Sequence, residues 1–176
     1  MDYLIRPVKA DEWKRLKELR LAALADPVAS VAFEETFQDA AAYPDEVWQG
    51  RADRSDAGRG ALTFVGEAED GSWGGMVAVY LEEDCTKAPE VRVAGAYVRP
   101  EHRGTGLSRE LFRAAISWAW GLAEPAVGCV RLRVREDNAR AVALYRSLGF
   151  VECAGSEAGE RGVPRGEMEM TLTRGV

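Results

Sequence analysis

Apolar and polar positions change period several times along the chain. Residues 3–8 form a short apolar run that reads as a first strand closed by Pro7. Asp11 is placed to cap a helix running to about Ala25. Trp13, Leu16, Leu19 or Arg20, Ala23 and Leu24 give that helix one apolar face, and Pro27 stops it. Pro44, followed by Asp45 and Glu46, opens a second helix through Val47 and Trp48. Residues 51–60 are polar and Gly-containing, which predicts an exposed loop.

The period then shortens. Residues 62–67 and 73–81 are strand-like and are joined by Glu69-Asp70-Gly71-Ser72, a hairpin signal. Residues 91–98 make a third such run after the polar turn 82–89. A helix follows over about 105–120, with Leu107, Leu111, Ala115 and Trp118 on one face. Residues 129–134 alternate Val130, Leu132 and Val134 against Arg131 and Arg133, the pattern of a strand. Residues 138–148 repeat Ala141, Leu144, Tyr145 and Leu148 at helical spacing, and Gly149 sits where a helix end favours a left-handed residue. Residues 150–153 and 167–173 close the chain as strands around the loop 155–166. The order β α α β β β α β α β β predicts an α/β (α+β) fold, a mixed sheet with helices on its faces, as one domain over residues 1–176.

Composition narrows the function. The 176 residues carry a net charge of −6, which argues against sequence-independent nucleic-acid binding. No apolar run reaches the length of a membrane span; the stretch 116–134 is broken by Glu124, Pro125 and Arg131. The start lacks the pattern of a signal peptide, so a cytoplasmic protein is expected. Cys85, Cys129 and Cys153 form no C-x-x-C pair, and His102 is the single histidine, so no metal site is expected and a Ser-His-Asp hydrolase is disfavoured. Of 23 basic residues only four are lysine, an arginine excess best read as compositional.

Two motifs carry chemistry. In A-Y-V-R-P-E-H-R-G-T-G-L-S, residues 96–108, a strand leads through a Gly-containing turn into a helix. Gly104 and Gly106 leave the N–H groups of residues 103–108 free to face a ligand, and the helix N-terminus adds unpaired donors and positive potential. Together they suit a pyrophosphate, with Arg103 adding a charge-assisted contact. Such a junction also serves as a plain tight turn. The second motif, N-A-R-A-V-A-L-Y-R-S-L-G-F, begins at Asn138, 32 residues after Gly106. Its asparagine suits an N-cap and its tyrosine a core position, yet their seven-residue spacing sets both on nearly one helix face.

Taken in order, the two motifs resemble the GCN5-related N-acetyltransferase (GNAT) family. The Q/R-x-x-G-x-G/A signature is matched by residues 101–106 except that Glu101 stands first, and the N-x6-Y-x3-G-F segment is matched in full. The resemblance implies a mostly antiparallel mixed sheet of about seven strands with splayed central strands. It implies acetyl-CoA as acyl donor, with no metal, and a primary amine as acceptor, on a small molecule, a protein N-terminus or a lysine. The pyrophosphate would sit on Arg103, Gly104, Thr105, Gly106, Leu107 and Ser108. The pantetheine arm would pair with the backbone of Ala96, Tyr97 and Val98, next to a bulge at Gly95 and Ala96. An N–H near Tyr97 or Val98 would face the thioester carbonyl, Asn138 would bond the cofactor, and Tyr145 would face the sulfur. Homodimers are common in the family. An acyl-CoA-binding relative without transferase activity is the alternative.

The base is open at this level. Glu35 and Glu83 are the candidates carried forward, among Glu34, Glu82 and Glu90, each of which also fits a solvated surface carboxylate. Ribosomal-protein alanine acetyltransferases place their base five residues before the asparagine, where this chain has Arg133. The acceptor would lie against residues 26–44 and 155–166. The first segment carries Glu34 and Glu35 and suits a cation, whereas the second carries Arg161 and Arg165 and suits a carboxylate.

Overall fold

The computed structural model describes residues 2–28, 33–84, 87–153 and 162–175. β1 (Tyr3–Pro7) leads through a 3-10 turn (Ala10–Glu12) into α1 (Trp13–Ala25), α2 (Phe37–Ala42) and α3 (Asp45–Ala57). The hairpin β2 (Ala61–Ala68) and β3 (Trp73–Glu82) is followed by β4 (Glu90–Val98), a second 3-10 turn (Pro100–His102) and α4 (Leu107–Gly121). β5 (Cys129–Arg135), α5 (Ala139–Ser147), β6 (Val151–Glu152) and β7 (Glu167–Thr173) complete the order.

The described residues form a seven-stranded sheet ordered β1-β2-β3-β4-β5-β7-β6. All neighbours are antiparallel except β4 and β5. One face is covered by α4 and α5, where Leu111, Ala115 and Phe112 pack on Val77, Val93 and Leu132. The opposite face, under α1 and α3, buries Leu16, Leu19, Ala52, Val65, Met76 and Tyr97. The alternation Phe64/Val65 and Met76/Val77 therefore feeds two cores. α4 starts close to the sheet because Gly66 and Gly75 of the hairpin leave room for Leu107. A Cβ at Gly66 would stand 2.3 Å from Leu107 Cδ1, and one at Gly75 would stand 2.5 Å from the Tyr97 carbonyl.

Three expectations fail between β1 and β2. Asp11 does not cap α1: it lies inside the 3-10 turn, and the N-cap Glu12 makes no side-chain cap. Residues 51–57 belong to α3 and not to a loop. The buried stripe of that helix is Trp48, Ala52 and Ser55, too sparse and too polar to mark a helix by period. Ser55 is buried because its hydroxyl accepts from Thr63 N (3.1 Å) and donates to Thr63 O (3.2 Å) across to β2. The six-residue α2, capped by the Thr36 side chain accepting from Asp39 N at 3.1 Å, is also absent from the expected order. Arg131 is a further departure. It lies on the face of β5 opposite the α4 core, as alternation requires, but is 7% exposed. It donates to the buried Glu169 on β7 and to Glu90 on β4 (2.5 and 3.1 Å).

Candidate functional site

The sheet opens between β4 and β5. Their parallel ladder runs from Glu90↔Cys129 to Val93↔Leu132 and stops there. On the other side of β4, the pairs Met76↔Tyr97 and Ala78↔Ala94 leave Gly95 and Ala96 opposite the single residue Val77. This is a bulge, and Gly95 supplies its positive φ of 61°. The bulge bends β4 away from β5, so the edge of Ala96, Tyr97 and Val98 that would face β5 looks into a cleft of about 1040 Å³.

The turn after β4 ends at Gly106, the N-cap of α4, with φ 89° and no side-chain cap. Gly104 also has positive φ (79°), and a Cβ at either glycine would point into open space. The first N–H groups of a helix have no intrahelical acceptor. Among the described residues, no backbone carbonyl accepts from the N–H groups of residues 104–109. The turn is held from behind, where Tyr3 Oη lies 2.8 Å from His102 Nδ1 and 3.2 Å from Thr105 Oγ1, and Thr105 Oγ1 donates to His102 O (2.7 Å). His102 therefore serves the shape of the turn. What results is a cradle of backbone donors for an anion.

Arg103 departs from the sequence expectation. Its guanidinium donates to Asp26 at 2.5 Å and to the Val98 carbonyl at 3.2 Å, which ties the turn to the end of α1 and not to the cradle. Leu107 is buried, so only its backbone is available there. Ser108 lines the cleft.

Across the cleft stands α5. Asn138 caps it, its side chain accepting from Ala141 N at 3.2 Å, and also lines the cleft. Tyr145 is packed between Phe112 (centroids 4.9 Å apart) and Phe150 (6.1 Å) and is buried, yet it lines the cleft too. No described residue hydrogen-bonds its hydroxyl, and burial pushes its pKa up to about 12. The phenol therefore stays protonated throughout the neutral range.

The carboxylate candidates separate. Glu83 is exposed and lies off the cleft, although its neighbours Glu82 and Asp84 line it. Glu35 lines the cleft but is held by Arg20 Nε (2.6 Å) and Arg51 (3.0 Å). Burial alone would raise its pKa, but the hydrogen bonds from Arg51 and Arg20 outweigh that and hold it below the ordinary carboxylate range. Both findings argue against Glu35 and Glu83 as bases. Glu82 is paired with Arg92 (2.6 Å) and Glu90 with Arg131. Glu34, exposed on the cleft, has no ion-pair partner among the described residues. Arg133, at the position of the base in the alanine acetyltransferases, lies 3.9 Å from Glu169. Sequence reasoning missed the frame of Arg20, Arg51 and the Arg131–Glu169 pair, whose partners are distant in the chain. The one hint was Arg20, a charge interrupting the apolar face of α1. Arg161 and residues 29–32 and 155–160 of the expected acceptor segments lie outside the described residues.

Among the described residues no helix is long and apolar enough to cross a membrane, and no group of His, Cys, Asp and Glu is placed to hold a metal.

The model of the acetyltransferase (GNAT) family matches residues 23–150 of this chain. The chain belongs to that family. Streptothricin acetyltransferase of Streptomyces lavendulae is 32% identical over 115 residues, 63% of this chain and 56% of that protein. The N-alpha-acetyltransferase RimI of Mycobacterium tuberculosis is 44% identical over 61 residues, 35% of this chain and 34% of that protein. The chain thus spans about half the length of the first of these curated relatives and about a third of the second. In fold, it is similar to the PaiA N-acetyltransferase of Thermoplasma acidophilum, solved in complex with coenzyme A. The TM-score is 0.73 at 16% identity, covering 99% of this chain and 100% of that one. The mixed, mostly antiparallel sheet with its β4–β5 splay is the GNAT fold.

Proposed function

We propose that this chain is an N-acetyltransferase that moves an acetyl group from acetyl-CoA to a primary amine, by direct attack of the amine on the thioester with both substrates bound. The observation that carries this reading is what meets at one cleft: the splay between β4 and β5, Ser108 of α4 two residues after the glycine cradle, and Tyr145 on the lining.

The backbone N–H groups at Gly104, Thr105, Gly106, Leu107 and Ser108 hold the pyrophosphate, and the open Cβ directions at both glycines leave room for it. The free edge of Ala96, Tyr97 and Val98 receives the pantetheine arm as a strand-like partner, with Asn138 on the facing wall. The thioester supplies the activated acyl carbon. An N–H of the Tyr97–Val98 region stabilises negative charge on its carbonyl oxygen. Tyr145 donates a hydrogen bond to the sulfur as it becomes a thiolate. A phenol near 12 is a weaker acid than a thiol of about 8.5, so full proton transfer is uphill. Tyr145 is thus a hydrogen-bond donor first and a proton source second. Because the phenol ionises only on approaching 12, turnover should show no alkaline fall from this group below about pH 10. An alkyl ammonium of pKa about 10.4 must lose a proton before attack. Glu34, exposed on the cleft next to Glu35, is our candidate to take it, while Glu35, Glu82, Glu90 and Glu169 are committed to arginines.

The test is calorimetric titration with CoA together with a thiol-release assay over a panel of amines. Saturable CoA binding and amine-dependent release of free thiol are expected. Absence of CoA binding refutes the cleft assignment; binding without release with any amine favours a CoA-binding relative that lacks transferase activity.

A further inference from the structure

Beside the splayed cleft lies a second cavity of about 280 Å³, between α1, α3 and the β2–β3–β4 part of the sheet. Gly95 lines both, as do Arg20, Met76 and Tyr80, so the smaller cavity opens at the bulge where the thioester is proposed to sit. Arg20 marks the junction: its Nη1 would be 2.6 Å from a Cβ at Gly95, and its guanidinium stacks on Phe33 at 4.2 Å.

The electrostatics of this cavity are one-sided. Arg20, Arg51 and Arg54 line it and no carboxylate does. Glu35, just outside the lining, is shared between Arg20 and Arg51. Arg54 makes no ion pair among the described residues. Three guanidinium groups around one carboxylate leave net positive charge facing the cavity. The Arg51 guanidinium carbon lies over the Trp48 ring, 4.7 Å from its centroid, a cation–π contact beside its hydrogen bonds to Glu35. Trp48 itself lines the cavity, and its buried Nε1–H has no hydrogen-bond partner among the described residues. A buried donor of this kind is costly until an acceptor is supplied.

We propose that this cavity holds the carboxylate of the acceptor, and that the acceptor is a small amino-acid-like primary amine. This rests on the transferase reading above. The carboxylate lies toward Arg54, which can offer the planar two-donor mode that guanidinium favours, while Arg51, whose Nη1 and Nη2 already donate to Glu35, adds positive potential. The amine then reaches past Gly95 into the cleft, whose rim carries Glu34. A cavity of about 280 Å³, at the lower edge of the usual ligand range of roughly 300–1,000 Å³, suits a small metabolite and not a folded chain end. A polycation would meet the arginines with like charge.

The experiment compares alanine, leucine and phenylalanine with their decarboxylated counterparts ethylamine, isoamylamine and phenethylamine. Each is titrated calorimetrically into the full chain and used as acceptor in thiol release. At least one amino acid should be preferred over its amine by about tenfold or more, the worth of one charge-assisted hydrogen bond. Arg54→Glu should abolish that preference and Arg54→Lys restore part of it, with circular dichroism confirming that both variants fold. If no amino acid outbinds its amine, or Arg54→Glu leaves the preference intact, the carboxylate pocket is wrong. Loss of CoA binding or of all thiol release would fall on the transferase reading instead, while the titrations would still decide the pocket.

Discussion

At the Gly104–Gly106 turn, next to Ser108 on the cleft, the atoms on offer are backbone N–H groups within one turn. At the Arg20 end they are side chains drawn from α1, α3 and residues 33–35, locked together by ion pairs. The first end depends on conformation: two positive-φ glycines and a helix start. The second depends on which charges meet across the fold. A backbone cradle fits any chain that must hold the same phosphate group, whereas an ion-paired frame can be recast by a few substitutions to suit a different acceptor. The contrast explains why a chain with net charge −6 can still offer an anion site: local donors decide, not global charge.

This comparison can be broken at several points. The largest effect is expected where charge is most buried. Glu169 is 2% exposed and bonded to Arg131. Glu169→Ala leaves that guanidinium with one partner fewer in a buried setting and should cost about 3–5 kcal/mol, read by urea denaturation. A loss below about 1 kcal/mol would mean that water already reaches the pair. Next, Gly106→Val should weaken CoA binding by about tenfold or more, because a β-branched residue resists φ 89° and its side chain enters the cradle. Calorimetry on the folded variant checks this, and unchanged affinity would place the pyrophosphate elsewhere.

The smallest effect concerns Glu35. Its folded pKa is lowered, so the stability it contributes is fully present above the ordinary carboxylate value of about 4.3 and is lost as pH falls through the folded one. Glu35→Gln should therefore lower the melting temperature at pH 7, with the gap from wild type closing toward pH 3. A gap that does not narrow with acid would deny the charged role of the Arg20–Glu35–Arg51 frame.

The same contrast governs what was legible before the fold was known. The Gly104–Gly106 turn, the Asn138 cap and the seven strands could be anticipated, because each depends on residues close in sequence or on a short period, whereas the bulge at Gly95 followed only from the family resemblance. The start of α3 was legible from Pro44, Asp45 and Glu46, but its second half was hidden because its buried face ends in Ser55, a polar side chain made acceptable only by its partner Thr63 on β2. Arg131 looked like the solvated side of an alternating strand. Alternation reports which face a side chain takes, but not that Glu169 and Glu90 wait on that face to bury it. Arg103 is the mirror case: position alone assigned it to phosphate, and Asp26, 77 residues away, takes it.

The most direct test of the account is a paired measurement on Tyr145→Phe: kcat for acetyl transfer and Kd for CoA. The side chain keeps its packing against Phe112 and Phe150 and loses only the hydroxyl. The account predicts a kcat lower by at least about tenfold with CoA affinity within about twofold of wild type. A kcat equal to wild type, with CoA still bound, would contradict the assignment of Tyr145 to the departing sulfur.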